Sequence, residues 1–215
     1  MSERRPSREI VHGDGIAWLQ GAQLGPEAAI VTSLPDHSEL EGPFEQWRRW
    51  FVDTAALCCA AVAPEAVAIF YQSDVKHDGR WIDKAHLVHQ GADRSDAACV
   101  FHRVVCRKPA GTLGFGRPLY SHLLGFSRAL RLPSGYGAPD VLPELGVMTW
   151  SRAMGTAACA LVCRYLLEAT ACRTVVDPFC GVGTMLAVAN AHGLDAIGVE
   201  RSAKRARKAA ALQLP

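Results

Sequence analysis

The sequence predicts an α/β protein: a mostly parallel sheet of seven strands covered by helices, with an antiparallel hairpin at one edge. Three observations predict it. Short β-branched runs such as "AAIVTS" and "RTVVD" alternate with longer segments of helical periodicity, the pattern of a parallel sheet with crossover helices. A glycine-rich turn, "DPFCGVGT", joins one such run to a helix near the C-terminal end. Two longer runs, "AACVFHRVVCRKP" and "RPLYSHLLGFSRAL", flank the glycine-rich stretch "AGTLGFG" and read as the hairpin.

Taken in order, "REIVHGDGIAWL" reads as a strand ending at Gly13-Asp14 followed by a short helix. "AAIVTSLPD" is a buried strand that breaks at Pro35. In the next segment Phe44, Trp47, Phe51, Cys58 and Val62 fall on one side and Arg48, Arg49 and Asp53 off it, so a long amphipathic helix is expected, ending at Pro64. "AVAIFYQSD" is another strand and "DKAHLVHQGA" a short helix. His77 and Asp78 in "DVKHDGRW" either border a substrate or sit in a solvated loop. After the hairpin, residues 132–150 are rich in proline and glycine and read as irregular connection. "SRAMGTAACALVCRYLLEAT" is a helix with Met154, Ala158, Leu161 and Tyr165 at helical spacing. Counting "REIVH", "AAIVTS", "AVAIFY", the hairpin pair, "RTVVD" and "DAIGVE" gives the seven strands.

Composition limits the function classes. With 215 residues, 49% of them hydrophobic and 20% charged, the chain builds a substantial core and is not a disordered tail. A net charge of +2 permits a nucleic-acid partner without arguing for one. No apolar run reaches the length of a membrane span, and "MSERRPSREI" is not followed by the apolar core of a secretory signal. The eight cysteines include no CxxC pair, so buried reduced thiols and a cytoplasmic location are expected. His86, His89, His102, His122 and His192 form no constellation in the sequence.

The chemistry concentrates at "VVDPFCGVGTMLAVANAHGLDAIGVERS", residues 175–202. Strand, glycine turn, helix and a second strand closing on an acid form a recipe for holding an adenosine. Gly181 and Gly183 allow the backbone to approach closely. Thr184 starts the helix, and Glu200 can accept from ribose hydroxyls. Asp177 precedes the glycines; it would repel a pyrophosphate and welcome a cationic group. The third glycine of a dinucleotide fingerprint is missing.

This stretch resembles motifs I and II of the class I S-adenosyl-L-methionine-dependent methyltransferases. Its DPFxGxGT form is similar to the amino-methyltransferases of DNA or RNA bases, in some groups of which the order is circularly permuted. The resemblance implies a Rossmann-like fold in a single domain, residues 1–215, with a substrate half at 1–131, a connection at 132–150 and a cofactor half at 151–215. It implies binding of S-adenosyl-L-methionine, with S-adenosyl-L-homocysteine as product. The cofactor-binding positions are Asp14, Asp177, Phe179, Cys180, Gly181, Gly183, Thr184, Glu200 and Arg201, together with Ser33 and Arg152; a surface role for Arg152 is equally open.

In the same enzymes the catalytic corner carries Asp, Asn or Ser, then two prolines and an aromatic. Here it reads Ser33, Leu34, Pro35, Asp36. Ser33, Pro35 and Asp36 are the expected catalytic residues, with an acid where a base would otherwise stack. Asp36 is either an acceptor for the substrate amine or an acidic turn that caps the following helix. No metal is expected, since Asp36, His37 and Glu39 lack ligand spacing. RNA, tRNA in particular, is the expected substrate, with Arg103, Arg107, Lys108, Arg128 and Arg131 near the hairpin available for phosphates. The run from Arg201 to Lys208 reads as a solvated helix face. The alternatives are a methyltransferase of DNA or protein, and a non-catalytic subunit that supports an active partner. An NAD-dependent oxidoreductase is a further one, for which no hydride-transfer site is found.

Overall fold

The computed structural model describes residues 5–214. The first four residues and Pro215, which the expected halves include, lie outside the described residues. The chain runs β1 (Arg8–His12), α1 (Gly15–Gly21), β2 (Ala28–Thr32), a one-turn 3-10 helix (His37–Glu39), α2 (Phe44–Ala61) and β3 (Ala68–Gln72). It continues through β4 (Val75–His77), β5 (Arg80–Ile82), α3 (Lys84–Asp93), β6 (Ala98–Cys106), β7 (Tyr120–Ser127) and β8 (Val141–Leu142). It closes with α4 (Thr156–Ala169), β9 (Thr174–Asp177), α5 (Thr184–Ala191), β10 (Asp195–Glu200) and α6 (Ala203–Ala211).

Eight strands form one sheet in the order β1-β10-β9-β2-β3-β7-β6-β8. From β1 to β3 all neighbours are parallel, and β7 pairs antiparallel with both β3 and β6. All seven expected strands are present. The extra one, β8, comes from the segment read as irregular connection: Val141 and Leu142 pair parallel with Val104 and Val105, and two residues carry no periodicity that a sequence could show. Residues 75–82, open between substrate border and solvated loop, form a small separate hairpin. Asp78 (φ 47°) and Gly79 (φ 73°) are both left-handed at its turn, as a tight hairpin requires.

The central strands β2 and β3 are buried at every position, because helices cover both faces of a parallel sheet. Helices α1, α2 and α3 pack against one another in one layer and α4, α5 and α6 in another. Trp47, Phe51, Val52, Ala55 and Cys58 form the inner face of α2. The helix expected from Ser151 starts instead at Thr156. Gly155 is its N-cap, and a Cβ there would sit 2.0 Å from the Leu145 carbonyl oxygen. All eight cysteines are free; six are buried, while Cys99 is exposed and Cys106 partly so. No helix among the described residues is long and apolar enough to cross a membrane.

Candidate active site

Strand β9 leads through α5 to β10 on one side of it, while β2 leads through α2 to β3 on the other. The strand order therefore switches between β9 and β2, the place where open α/β sheets leave a crevice beyond their carboxyl ends. A cavity of about 970 Å³ opens there. Residues 28–30 pair with 174–176, and at the strand ends the Thr32 hydroxyl donates to Asp177 Oδ1 at 2.7 Å across 145 positions of sequence.

On the β9–β10 side, Asp177 and Glu200 are both buried. Asp177 Oδ1 also accepts from the Phe179 amide at 3.1 Å. Glu200 Oε1 accepts from the Ser202 amide at 2.6 Å and from Arg205 at 2.9 and 3.0 Å. Among the described residues, the second oxygen of each carboxylate is free. Burial raises the Asp177 carboxyl to about 7 against the lowering bonds from Thr32 and Phe179, and Glu200 adds to the rise. Gly181 has φ 59°, and a Cβ on it would lie 3.0 Å from the Trp150 ring. The loop thus passes beneath an indole with no room for a side chain.

On the β2–β3 side, neither the Ser33 hydroxyl nor the Leu34 carbonyl has a hydrogen-bond partner among the described residues, whereas the Pro35 carbonyl accepts from Trp47 Nε1 at 3.1 Å. Asp36 Oδ1 is ion-paired with Lys84 Nζ, whose side chain is 3% exposed against 39% for Asp36. The ammonium also lies 5.8 Å from the Phe51 ring centroid. Lys84 is positioned by its own amide, which donates to Asp74 Oδ1 at 2.9 Å. Asp74 further accepts from Trp81 Nε1, the Tyr120 hydroxyl and His122 Nε2. Burial opposes its charge, but the bonds from His122, Trp81 and the Lys84 amide outweigh it and bring the carboxyl down to about 2.

No family model matches the sequence, and no curated protein matches it. Solved structures do. PvuII DNA methyltransferase, cytosine-N4-specific, superposes with a TM-score of 0.72 at 12% identity, over 96% of this chain and 88% of that one. A Thermus thermophilus protein assigned as a DNA modification methylase, in complex with S-adenosyl-L-methionine, gives 0.69 at 17% identity, over 94% and 92%. The M1.HpyAVI–SAM complex gives 0.62 at 13% identity, over 94% and 97%. The chain has the fold of these methyltransferases.

Within that methyltransferase fold, the cavity brings together Asp14, Ser33, Pro35, Asp36, Arg152, Asp177, Phe179, Cys180, Gly181, Thr184, Glu200 and Arg201. Gly183 is the exception. It lies outside the lining, with φ 80° as the N-cap of α5, and a Cβ on it would meet Ala209 of α6 at 2.9 Å. Asp14 caps α1, accepting from the Ile16 and Ala17 amides. Arg152 is not at a helix start; it lines the cavity with one guanidinium nitrogen ion-paired with Glu39. Asp36 does not cap α2, whose N-cap is Pro43.

Two arginines offered for phosphates are structural. Arg128 donates to the Cys59, Ala60 and Val62 carbonyls at the end of α2, and Arg103 is buried against Phe101 and Tyr136. In the run from Arg201 to Lys208, Lys204, Arg207 and Lys208 form an exposed face, but Arg201 and Arg205 turn to the cavity. The histidines are not all isolated: His102 Nε2 and His122 Nδ1 are 3.0 Å apart, joined through His122 to Asp74. Asp74, Asp83 and His122 hold ligating atoms within 4.8 Å of one another, yet four donors already occupy Asp74. Lys84, Asp74 and Trp150 were missed, since each matters through a partner far away in sequence.

Proposed function

We propose that this protein is an S-adenosyl-L-methionine-dependent methyltransferase acting on an exocyclic amino group of a DNA base. The observation that carries the reading is the pairing of two half-occupied carboxylates, Asp177 and Glu200, with an open acceptor corner at Ser33–Asp36 in one cavity. The residues fit the cofactor. Asp177 offers a free oxygen to a cationic amino group and Glu200 one to ribose hydroxyls. Gly181 beneath Trp150 forms a cradle that a Cβ would fill. When bound, the cofactor supplies an activated methyl group; the chain supplies position and hydrogen bonds. Ser33 and the Leu34 carbonyl accept from the target amine, and the second oxygen of Asp36 orients it or takes its proton. Lys84 fixes the other oxygen of Asp36.

The surroundings support a nucleic-acid substrate. Lys76, Arg107, Arg117 and Arg201 line the cavity with no carboxylate partner among the described residues, a rim suited to phosphates. RNA was the expectation from sequence. The structural neighbours are DNA methyltransferases that superpose over nearly the whole chain, which supports DNA. Titration with S-adenosyl-L-methionine and NAD side by side, then transfer of labelled methyl groups to DNA, RNA and protein, tests the reading. Binding of the methyl donor and labelling of DNA are expected. Tighter binding of NAD, or label only in RNA or protein, would overturn it; no transfer at all would favour a non-catalytic subunit.

A further inference from the structure

The segment joining β6 to β7 projects beside the cavity and presents two apolar side chains to water. Leu113 is 80% exposed and Phe115 91% exposed. Single exposed hydrophobics need no explanation, but these two are separated only by Gly114 in one loop. The loop is closed at its base, where the Arg107 amide donates to the Leu119 carbonyl at 2.7 Å. Its returning leg, Gly116, Arg117 and Pro118, lines the cavity. Phe115 is therefore the residue immediately before the cavity wall. Gly111 and Gly116, at φ 82° and 83° with nothing near the position of a Cβ, bracket the tip in the left-handed region that glycine favours. The electrostatics are one-sided as well. No acidic residue occurs between Asp96 and Asp140, and Arg107, Lys108 and Arg117 flank the tip.

We propose that this loop docks on duplex DNA and that Phe115, supported by Leu113, enters the base stack as a wedge. The proposal rests on the function proposed above. A base inside a duplex cannot reach an enclosed site; it must be extruded, and the gap it leaves in the stack costs energy unless something apolar fills it. An aromatic ring held beside the mouth of the cavity by cationic neighbours meets that need. The cations contact the phosphates, the ring takes the vacated space, and the base enters the cavity toward Ser33 and Asp36.

The test uses the full chain with S-adenosyl-L-homocysteine present and two fluorescent probes: a mixed-sequence DNA duplex and the same duplex with one abasic position. The wild-type protein is expected to prefer the abasic duplex, where the gap already exists. Phe115→Ala should lose about ten- to a hundredfold in affinity for it, the scale of one aromatic stacking contact, while Phe115→Trp keeps the preference. Methyl transfer by Phe115→Ala should fall on duplex DNA and be spared on single strands, which need no wedge. S-adenosyl-L-homocysteine affinity and melting temperature should not move in either variant. Equal binding of both duplexes by wild type, or Phe115→Ala indistinguishable from it while DNA is still methylated, overturns the wedge alone. Absence of any DNA binding and methylation overturns the DNA reading together with it, as does a preference for an RNA duplex of the same sequence.

Discussion

At the glycine-loop end of the cavity, Asp177 and Glu200 are buried and each is held by a backbone amide two residues ahead, those of Phe179 and Ser202. At the opposite end, Asp36 is partly exposed and is held by a lysine side chain 48 positions away. Apart from Thr32, which reaches Asp177 across 145 positions, the bonds at the first end come from the local course of the chain, whereas the carboxylate at the second is held by a side chain that only the finished fold brings near. A locally built end tolerates change elsewhere and is tuned to one ligand. An end held from a distance can be altered by substitutions on several elements. The two ends should accordingly fail in different ways.

The largest expected effect separates them outright. Asp36→Asn keeps the shape of the corner but removes the charge, so turnover should fall by about 10²–10⁴-fold while S-adenosyl-L-methionine affinity stays unchanged. Full activity would reduce Asp36 to a partner of Lys84. At the other end, Glu200→Ala removes a buried acceptor and should weaken cofactor binding by about 1.5–3 kcal/mol, measured by calorimetry with the melting curve as control. Unchanged affinity would move the ribose elsewhere. Lys84→Met tests whether the distant partner matters. Removing one partner of a fully buried pair costs about 3–5 kcal/mol, but the Asp36 left behind is 39% exposed and reaches water, so the loss of stability should be well below that, while the released Asp36 should lower turnover. A large loss of stability with normal turnover would make the lysine a structural pin.

The same contrast explains what could be read from the sequence. Seven of the strands and the late glycine loop were legible from local periodicity and residues within one turn, and most of the named cavity residues from the resemblance to the amino-methyltransferases. The spacing within "DPFCGVGT" picks out Asp177, Gly181 and Thr184, although Thr32, Trp150 and Thr149 from other segments complete their surroundings. The Asp36–Lys84 pair was not legible: a lysine at a helix start carries no sign that its ammonium will be buried. Asp74 was missed for the same reason, since its four donors come from β7, the β4–β5 hairpin and the first residue of α3. That Gly183 packs on α6 was not legible, because a glycine in such a loop looks the same in sequence whether it faces a ligand or a neighbouring helix. The proposal of DNA rather than RNA rests on the neighbouring structures, because the choice of nucleic acid has no periodic signature in the sequence.

The smallest expected effect is one of pH, and it belongs to the glycine-loop end alone. With Asp177 at about 7 in the protein against an ordinary 3.8, the free site is mostly protonated at pH 6 and mostly charged at pH 8. A cationic amino group binds the charged form, so below pH 7 each binding event must expel a proton. Cofactor affinity should fall by up to about tenfold per pH unit below 7 and level off above it. Stability of the free protein runs the other way. A carboxyl raised on folding contributes stability that is fully present below its unfolded value near 4 and lost as pH rises through 7. Urea midpoints without cofactor should therefore decline from pH 5 to pH 7 on this account, by at most about 1.4 kcal/mol per unit, even as binding improves. Asp177→Asn should flatten both profiles, with weaker binding at pH 8 and a smaller decline in midpoint. The Asp36→Asn variant should leave them as in the wild type, because its carboxylate stands at the other end of the cavity. A binding profile that is flat from pH 6 to pH 8 in the wild type would take Asp177 out of the cofactor site.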